Sequence, residues 1–445
     1  MNWKQLLSLK RFGDTETRHR HLQNETRLGF EVDYDRVIFS DSFRSLQDKT
    51  QVIPLSDADF VHTRLTHSLE VSVVGRSLGR IVGEELLLKY PELAKDGYKS
   101  NDIGAIVASA ALAHDIGNPP FGHSGENAIG DFFKTGKGKQ FKHKLNAAQW
   151  QDLIDFEGNA NGLRILSESR AGVKGGLRLS YATIGAFMKY PKESVPVKKS
   201  RNIAEKKYGV FQIDKAFFKD VTQELGLKKI REEDEAYFRH PLAYLVEAAD
   251  DICYSIIDFE DGINLGLIPE DKALEYLLNL VRENMITEKY TALTNQKDRL
   301  SYLRALAIQT LIFEAASVFI KNETAILAGE FPHSLLAKCK YEAQLKDIIN
   351  ISIEKIYRSK EVIEKELTGY LVISDLLDVF ITAVNNKNDG TMTSFDRLVL
   401  ALLPSEYSKI DAPLYNRLMG VCSFVASMSD RYAMLLHGKV ARVKL

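Results

Sequence analysis

The chain has 445 residues, of which 59 are lysine or arginine and 60 are aspartate or glutamate, for a formal net charge of -1. This balance gives no overall field that would attract nucleic acid or an anionic membrane. The three cysteines, Cys253, Cys339 and Cys422, have no paired spacing, which suits a reducing compartment and argues against a thiolate zinc site. The first residues include no apolar signal region, and we identify no stretch expected to span a bilayer. We therefore expect a soluble, cytoplasmic protein without a membrane partner.

The first fifty residues contain one weak helical signal. Residues 1–35 are charged and show no clear period, so we predict irregular structure there. Between Asp35 and Gln47 the apolar residues fit a short amphipathic helix or two turns. The long polar side chain of Gln47 follows this segment and on its own indicates only a solvated surface.

A long helical pattern follows, opening near Phe60 and stopping before Pro91. Arg64 and His67 fall at its start. A lone histidine in a first helical turn is usually structural, so His67 becomes a candidate ligand only if a second pair of donors exists elsewhere in the chain.

The next helix supplies that pair. Residues 103–113 are almost entirely small or apolar, which predicts a helix buried on all sides, with Asn101 or Asp102 as its N-cap. His114 and Asp115 then stand at its last turn, before Gly117 and two prolines. Buried polar groups need partners. A divalent metal would satisfy both side chains, and a helix-end pair capping carbonyls is the alternative.

Two basic stretches come after this helix. The first, residues 134–144, lacks the sequence of a phosphate-binding P-loop, and a solvated loop is the simpler interpretation. The second extends from Lys189 to Gly209 and contains Pro191 and Pro196, so we predict a loop that can reach a neighbouring site.

Pro241 begins the second informative helix, because proline is favoured at a first helical position. Asp250, Tyr254 and Asp258 follow at intervals of four residues and therefore share one flank beside the apolar stripe. Asp251 competes with Asp250 as a ligand, and the spacing alone does not choose between them.

From residue 262 onward the helical periodicity continues, and no alternating run long enough for a sheet occurs anywhere in the chain. We predict an all-α protein. His67, His114, Asp115 and Asp250 together offer two imidazoles and two carboxylates, a set that suits Mn²⁺ or Mg²⁺, with Fe²⁺ or Co²⁺ also compatible.

These residues resemble a known family. The blocks Arg64–Val71, His114–Glu126 and Glu247–Tyr254 are similar to those of the histidine–aspartate (HD) superfamily of phosphohydrolases, and within it to bacterial deoxyguanosinetriphosphate triphosphohydrolases. Residues 427–434, Ser-Met-Ser-Asp-Arg-Tyr-Ala-Met, resemble the family's C-terminal region. The resemblance implies an HD core over residues 1–265 with basic insertions. It also implies a C-terminal helical region over residues 266–445, packed on the core and at subunit interfaces.

The resemblance also implies an activity, which is cleavage of dGTP or another dNTP at the α-phosphorus to deoxynucleoside and tripolyphosphate. His67, His114, Asp115 and Asp250 would hold the metal, and His123 with Glu126 would be the catalytic acid/base pair. The implied substrate contacts are Gln47, Arg64, Lys207, Tyr208, Tyr254 and Asp258.

Several alternatives and partners stay open at this level. Another HD phosphohydrolase, such as a 5′-nucleotidase or single-strand nuclease, and a nucleotide- or DNA-binding regulator are the competing functions. The family and the long apolar C-terminal faces together predict a homo-oligomer, with a hexamer favoured. The basic stretches are candidates for contacts with single-stranded DNA or a regulatory nucleotide, and base preference is not predicted by any single side chain.

Overall fold

The structure is a computed structural model that describes residues 1–24, 26–52, 62–169, 172–197, 200, 202–404, 407 and 412–440. These residues form α-helices and a few 3₁₀ or π turns, and their β-type pairings are isolated bridges rather than strands of a sheet. The predicted all-α class is confirmed.

Twelve α-helices lie in the first 264 residues of the described chain. They are α1 Trp3–Leu6, α2 Gly29–Ile38, α3 Asp41–Arg44, α4 Arg64–Lys89, α5 Pro91–Lys95, α6 Ser100–Ala113, α7 Gly122–Lys134, α8 Ala147–Ile154, α9 Gly158–Ser167, α10 Tyr181–Phe187, α11 Lys215–Glu224 and α12 Pro241–Asn264.

Eight more follow in the described part of the second half. They are α13 Glu270–Val281, α14 Thr287–Ala292, α15 Gln296–Ala328, α16 Glu342–Ser352, α17 Lys360–Asn388, α18 Ser394–Ala401, α19 Leu414–Ser427 and α20 Asp430–Val440. A π-helical turn, Ile353–Tyr357, joins α16 to the loop before α17.

The predicted ends of the two ligand-bearing helices are confirmed where the residues are described. Helix α4 stops at Lys89, before Pro91, and α12 starts at Pro241 with His240 as its N-cap. The pattern predicted from Phe60 begins in residues 53–61, which lie outside the described chain, and α4 itself starts at Arg64.

Three local predictions were wrong. Residues 29–34 belong to α2 rather than to an irregular segment, because Phe30 is buried in the core and the buried Asp33 carboxylate has a partner there, the Ser180 N–H at 3.0 Å. Helix α6 starts at Ser100, and Asp102 lies inside it, where its carboxylate accepts a hydrogen bond from the Lys99 N–H at 2.8 Å. Residues 137–144 form 3₁₀ turns rather than an open loop.

Helices α4 and α6 pack closely because small residues face each other. A Cβ added to Gly79 would lie 2.8 Å from the Ile103 carbonyl oxygen and 2.8 Å from Gly104 Cα, so a larger side chain would force the helices apart. This close approach brings the start of α4, with His67, beside the end of α6, with His114.

Two apolar cores stabilise the chain, and both extend across residue 265. The first core contains the buried faces of α4, α6, α12, α13 and α15. The second core contains α7 and α8 together with α17, α19 and α20. The three helices that bear the predicted metal ligands therefore belong to one core, and the helix that bears His123 and Glu126 belongs to the other.

The expectation that no stretch is apolar enough to span a bilayer was too strong. Within the described residues, α15 and α17 are long enough and have 18-residue windows of mean hydropathy 1.6 and 1.7. The buried share of the window is 44% in α15 and 56% in α17. Packing against the two cores therefore accounts for part of the apolar character of these helices.

Candidate active site

One cavity of about 660 Å³ collects most of the predicted site. Its walls come from α4, the α6–α7 connection, α12, the second basic stretch and the π-helical turn with α17. The predicted residues that line it are Arg64, His67, His114, Asp115, His123, Glu126, Lys207, Asp250 and Tyr254.

Two imidazoles and two carboxylates converge on one side of this cavity. The ligand atoms of His67, His114 and Asp115 all lie within 4.8 Å of one another. Asp250 Oδ1 lies 3.3 Å from His67 Nε2 and 3.6 Å from His114 Nε2. The carboxylate that contacts both imidazoles is thus that of Asp250, the alternative to Asp251 that the spacing left open.

Both carboxylates are held in the ionised form. Burial alone would raise the pKa of Asp115, but the nearby Arg64 guanidinium, 2.5 Å away, and the two imidazoles lower it to about 2. Burial likewise opposes ionisation of Asp250, and His114, His67 and Lys189 overcome it and hold the Asp250 pKa well below its ordinary value.

The side chains fit a divalent cation. His114 Nδ1 lies 2.7 Å from the Ala111 carbonyl oxygen, which can only accept, so the ring donates from Nδ1 and keeps the lone pair of Nε2 for the site. His67 directs its Nε2 toward the same place, 3.3 Å from Asp250 Oδ1. Mixed nitrogen and oxygen donors without sulfur are typical of hydrolytic metal sites.

His123 and Glu126 form a second polar pair in the first turn of α7. His123 Nδ1 lies 2.9 Å from Glu126 Oε2, and the imidazole is largely exposed to the cavity, whereas the carboxylate is nearly buried. Glu126 Oε1 accepts from the Gly158 N–H at 2.8 Å. The hydrogen bond to Glu126 raises the pKa of His123 against the opposing effect of burial. The contact at Nδ1 leaves Nε2 for a reacting group.

Cations surround the cavity, each balanced by an acidic neighbour. Lys207 Nζ lies 3.0 Å from Glu157 Oε2 and 3.9 Å from Glu126 Oε2. Lys189 Nζ lies 3.5 Å from Asp250 Oδ2. Burial would lower the pKa of Lys189, but Asp250 and Glu247 raise it, so this lysine is charged. The cavity therefore offers positive charge to an anion.

Tyr254 and Asp258 project from one flank of α12, as predicted, and a residue from the C-terminal half contacts both. The Tyr357 ring stacks on Tyr254 with centroids 5.5 Å apart and planes 3° apart. The Tyr357 hydroxyl donates to Asp258 Oδ2 at 2.9 Å. Asp258 is 1% exposed, and its other oxygen has no partner among the described residues.

Three predicted substrate contacts, Gln47, Tyr208 and Asp258, do not line the cavity. Gln47 is exposed and does not line the cavity. Tyr208 is buried in the second core, and its hydroxyl donates to the Asp155 carbonyl at 2.7 Å, so its polar end is already bonded. Sequence reasoning placed Lys189 in a basic stretch without singling it out. Tyr357 was missed, because nothing in the sequence relates it to Asp258, 99 residues away.

Comparison with known proteins agrees with this geometry. A family model of the HD domain matches residues 64–151, which include the first three predicted metal ligands and the His123–Glu126 pair. The chain is 38% identical to a deoxyguanosinetriphosphate triphosphohydrolase-like protein of Synechocystis over the full length of both chains. It is 39% identical to one of Pseudomonas aeruginosa over 97% of each chain.

A relative named deoxyguanosinetriphosphate triphosphohydrolase, from Yersinia pseudotuberculosis, is 31% identical over 85% of this chain and 81% of its own length. The helical fold and the His-Asp centre define an enzyme of the HD-domain hydrolase class. Within that class, the chain belongs to the deoxyguanosinetriphosphate triphosphohydrolase family.

Proposed function

We propose that this protein is a metal-dependent dNTP triphosphohydrolase that cleaves dGTP, and other dNTPs more weakly, into deoxynucleoside and tripolyphosphate. The observation that carries the proposal is a single cavity that holds four nitrogen and oxygen metal donors together with an imidazole–carboxylate pair. The names of the relatives support the choice of dGTP.

His67, His114, Asp115 and Asp250 would hold the cation, with Mn²⁺ or Mg²⁺ as the proposed metal and Fe²⁺ or Co²⁺ as alternatives. When bound, the cation supplies Lewis acidity at the α-phosphate. The protein contributes the orientation of the ligands, since the Ala111 carbonyl fixes the tautomer of His114 and the Arg64 guanidinium keeps Asp115 ionised.

His123 handles the proton. Overall, water adds to the α-phosphorus, the bond from phosphorus to the 5′ oxygen breaks, and the 5′ oxygen gains a proton. The imidazolium donates that proton from Nε2, and Glu126 stabilises the imidazolium through Nδ1. The raised pKa of His123 keeps the donor form present to higher pH.

The triphosphate binds to the cationic groups of Arg64, Lys189 and Lys207. Hydrogen bonds to phosphate oxygens then replace the contacts that these groups make with acidic side chains. Tyr254 borders the sugar and excludes a 2′-hydroxyl, and Asp258 accepts from the 3′-hydroxyl through its unpartnered oxygen. This hydrogen bond to Asp258 requires the 3′-hydroxyl edge of the sugar to approach the stacked rings of Tyr254 and Tyr357.

We extend the proposal to location and assembly. Three buried, free cysteines support a reducing, cytoplasmic environment. Three apolar side chains four residues apart on α17, Ile363, Leu367 and Leu371, are 53%, 62% and 58% exposed and support a homo-oligomer, proposed to be a hexamer. A monomeric mass by light scattering would contradict the assembly.

A regulatory nucleotide or single-stranded DNA is proposed to contact the lysines of residues 137–144, most of which are exposed. Binding of labelled oligonucleotide that weakens steeply as salt rises would support this contact. Binding that is absent at low salt would reject it.

The deciding experiment is product analysis with the four dNTPs and GTP in the presence of Mn²⁺. Tripolyphosphate from dGTP, with GTP left intact, is the expected result. Pyrophosphate or orthophosphate as the product would reassign the protein to another phosphohydrolase activity. Intact substrates under all conditions, including added nucleotides and single-stranded DNA, would reject the proposal.

A further inference from the structure

The loop that delivers His123 to the cavity contains an unusual turn. Phe121 has φ 61° and ψ 20°, and Gly122 has φ 58°, so φ is positive at two successive residues, the N-cap and the first residue of α7. For a residue with a side chain this conformation costs about 1–2 kcal/mol. Because His123 is the next residue, the direction of its side chain depends on whatever holds this turn.

The contact that holds it comes from the far end of the chain. Asp430, the first residue of α20, is 1% exposed, and its Oδ1 accepts from the Phe121 N–H at 3.0 Å. Its Oδ2 accepts from the Thr50 N–H at 3.1 Å and from the Thr50 hydroxyl at 2.5 Å. One buried carboxylate therefore joins the turn before α7 to the segment that precedes α4.

A second buried bridge runs parallel to the first. Lys49 is 1% exposed, and its Nζ donates to the Asn118 carbonyl at 2.7 Å and to the Ala426 carbonyl at 2.8 Å. The loop between α6 and α7 is thus tied at both ends to the α19–α20 region. The Phe121 ring also packs on α17 at Gly369, where an added Cβ would run into it.

We propose that Asp430 is a positioning residue for catalysis, which fixes the Phe121–Gly122 turn and thereby aims His123 at the substrate. The expected effect on turnover rests on the proposed function, whereas the expected loosening of the turn does not. Asp430 does not line the cavity and contacts none of the predicted metal ligands, which lie on α4, at and directly after the end of α6, and on α12. It should therefore affect turnover and leave metal binding intact.

Asp430→Asn tests the proposal with almost no change in shape. An amide has one acceptor and one donor, whereas both carboxylate oxygens accept here. Whichever way the amide turns, its NH₂ faces an N–H of either Phe121 or Thr50, so one contact is lost. We expect kcat for dGTP to fall roughly tenfold to a hundredfold, with KM and the Mn²⁺ dissociation constant within about twofold of wild type.

Asp396→Asn is the matched control. Asp396 is another buried C-terminal carboxylate that accepts from a threonine hydroxyl and a backbone N–H, both of Thr393, but it lies away from the cavity. It should lose some thermal stability and keep wild-type kcat. If Asp430→Asn keeps wild-type kcat, or if kcat falls no more than in Asp396→Asn, the positioning role is wrong.

Hydrogen–deuterium exchange gives a readout that does not depend on the substrate. In Asp430→Asn the peptide covering residues 118–124 should exchange faster, while peptides covering α4, α6 and α12 keep wild-type protection. Unchanged exchange in residues 118–124 overturns the proposal even if wild-type protein hydrolyses no dNTP. Faster exchange throughout the chain would show a general structural role and would also overturn it.

Discussion

Replacement of Asp258 by asparagine should make the protein more stable, increasingly so as the pH rises. Asp258 is 1% exposed, and burial raises the pKa of its carboxyl to about 7 from an ordinary value of 3.8. Asparagine has the same shape, stays neutral at every pH and still accepts from the Tyr357 hydroxyl. The substitution removes the cost of keeping a buried carboxylate ionised, which exceeds the attraction to His67 that is lost with it.

The size of the effect follows from the two pKa values. The folded state binds a proton more tightly than the unfolded state, so this group favours folding below pH 3.8, and that contribution is lost as the pH rises to about 7. A difference of about three pH units corresponds to about 4 kcal/mol at alkaline pH, and to about 2 kcal/mol at pH 5.

The assay is urea unfolding of wild type and Asp258→Asn in EDTA at pH 5, 6, 7 and 8. The gap between the two midpoints should widen up to about pH 7 and then level off. Asp396→Asn serves as a control of opposite sign, because hydrogen bonds hold the pKa of Asp396 below its ordinary value despite burial. Parallel midpoints for wild type and Asp258→Asn across this range would refute the reasoning.

Four further outcomes can be checked by kinetics with dGTP. His123→Ala should lower kcat by roughly a hundredfold to ten-thousandfold through loss of the proton donor, with little change in Mn²⁺ affinity. Glu126→Gln should move the alkaline limb of the kcat profile to lower pH, because the Glu126 hydrogen bond raises the pKa of the His123 donor; an unmoved limb would contradict this role. Lys189→Met should raise KM several-fold, whereas replacement of Lys346, an exposed lysine outside the cavity, by methionine should not. EDTA should stop turnover, and added Mn²⁺ should restore it in wild type but not in His114→Ala.

The candidate metal donors were predictable in part because local rules connect them. An adjacent His114–Asp115 pair at the end of an apolar helix already indicates buried polar chemistry, and spacing on α12 leaves Asp250 and Asp251 as candidates for the fourth donor. The structure adds what spacing does not contain, namely that Asp250 rather than Asp251 contacts both imidazoles.

The rest depended on long-range packing. In the sequence, Tyr208 looks like a substrate contact. In the structure its ring is buried in the second core and its hydroxyl donates a hydrogen bond to the Asp155 carbonyl. Tyr357 and Asp430 lie in the C-terminal part of the chain. No periodicity or motif predicts that Tyr357 contacts Asp258 on α12 or that Asp430 binds the turn at Phe121. A left-handed phenylalanine is itself unexpected from sequence, since glycine is the usual residue there.

The proposed metal donors and the His123–Glu126 pair belong to different apolar cores, so we expect metal loading and turnover to be separable. Substitutions that loosen the core of α7, α17 and α20 should leave a protein that binds a cation but turns over slowly. Such a variant would still bind substrate and metal, so partial damage to the C-terminal helices should give an inhibitor of the intact enzyme and not merely an inactive protein. Catalytic rate can likewise change through α19 and α20, which do not line the cavity.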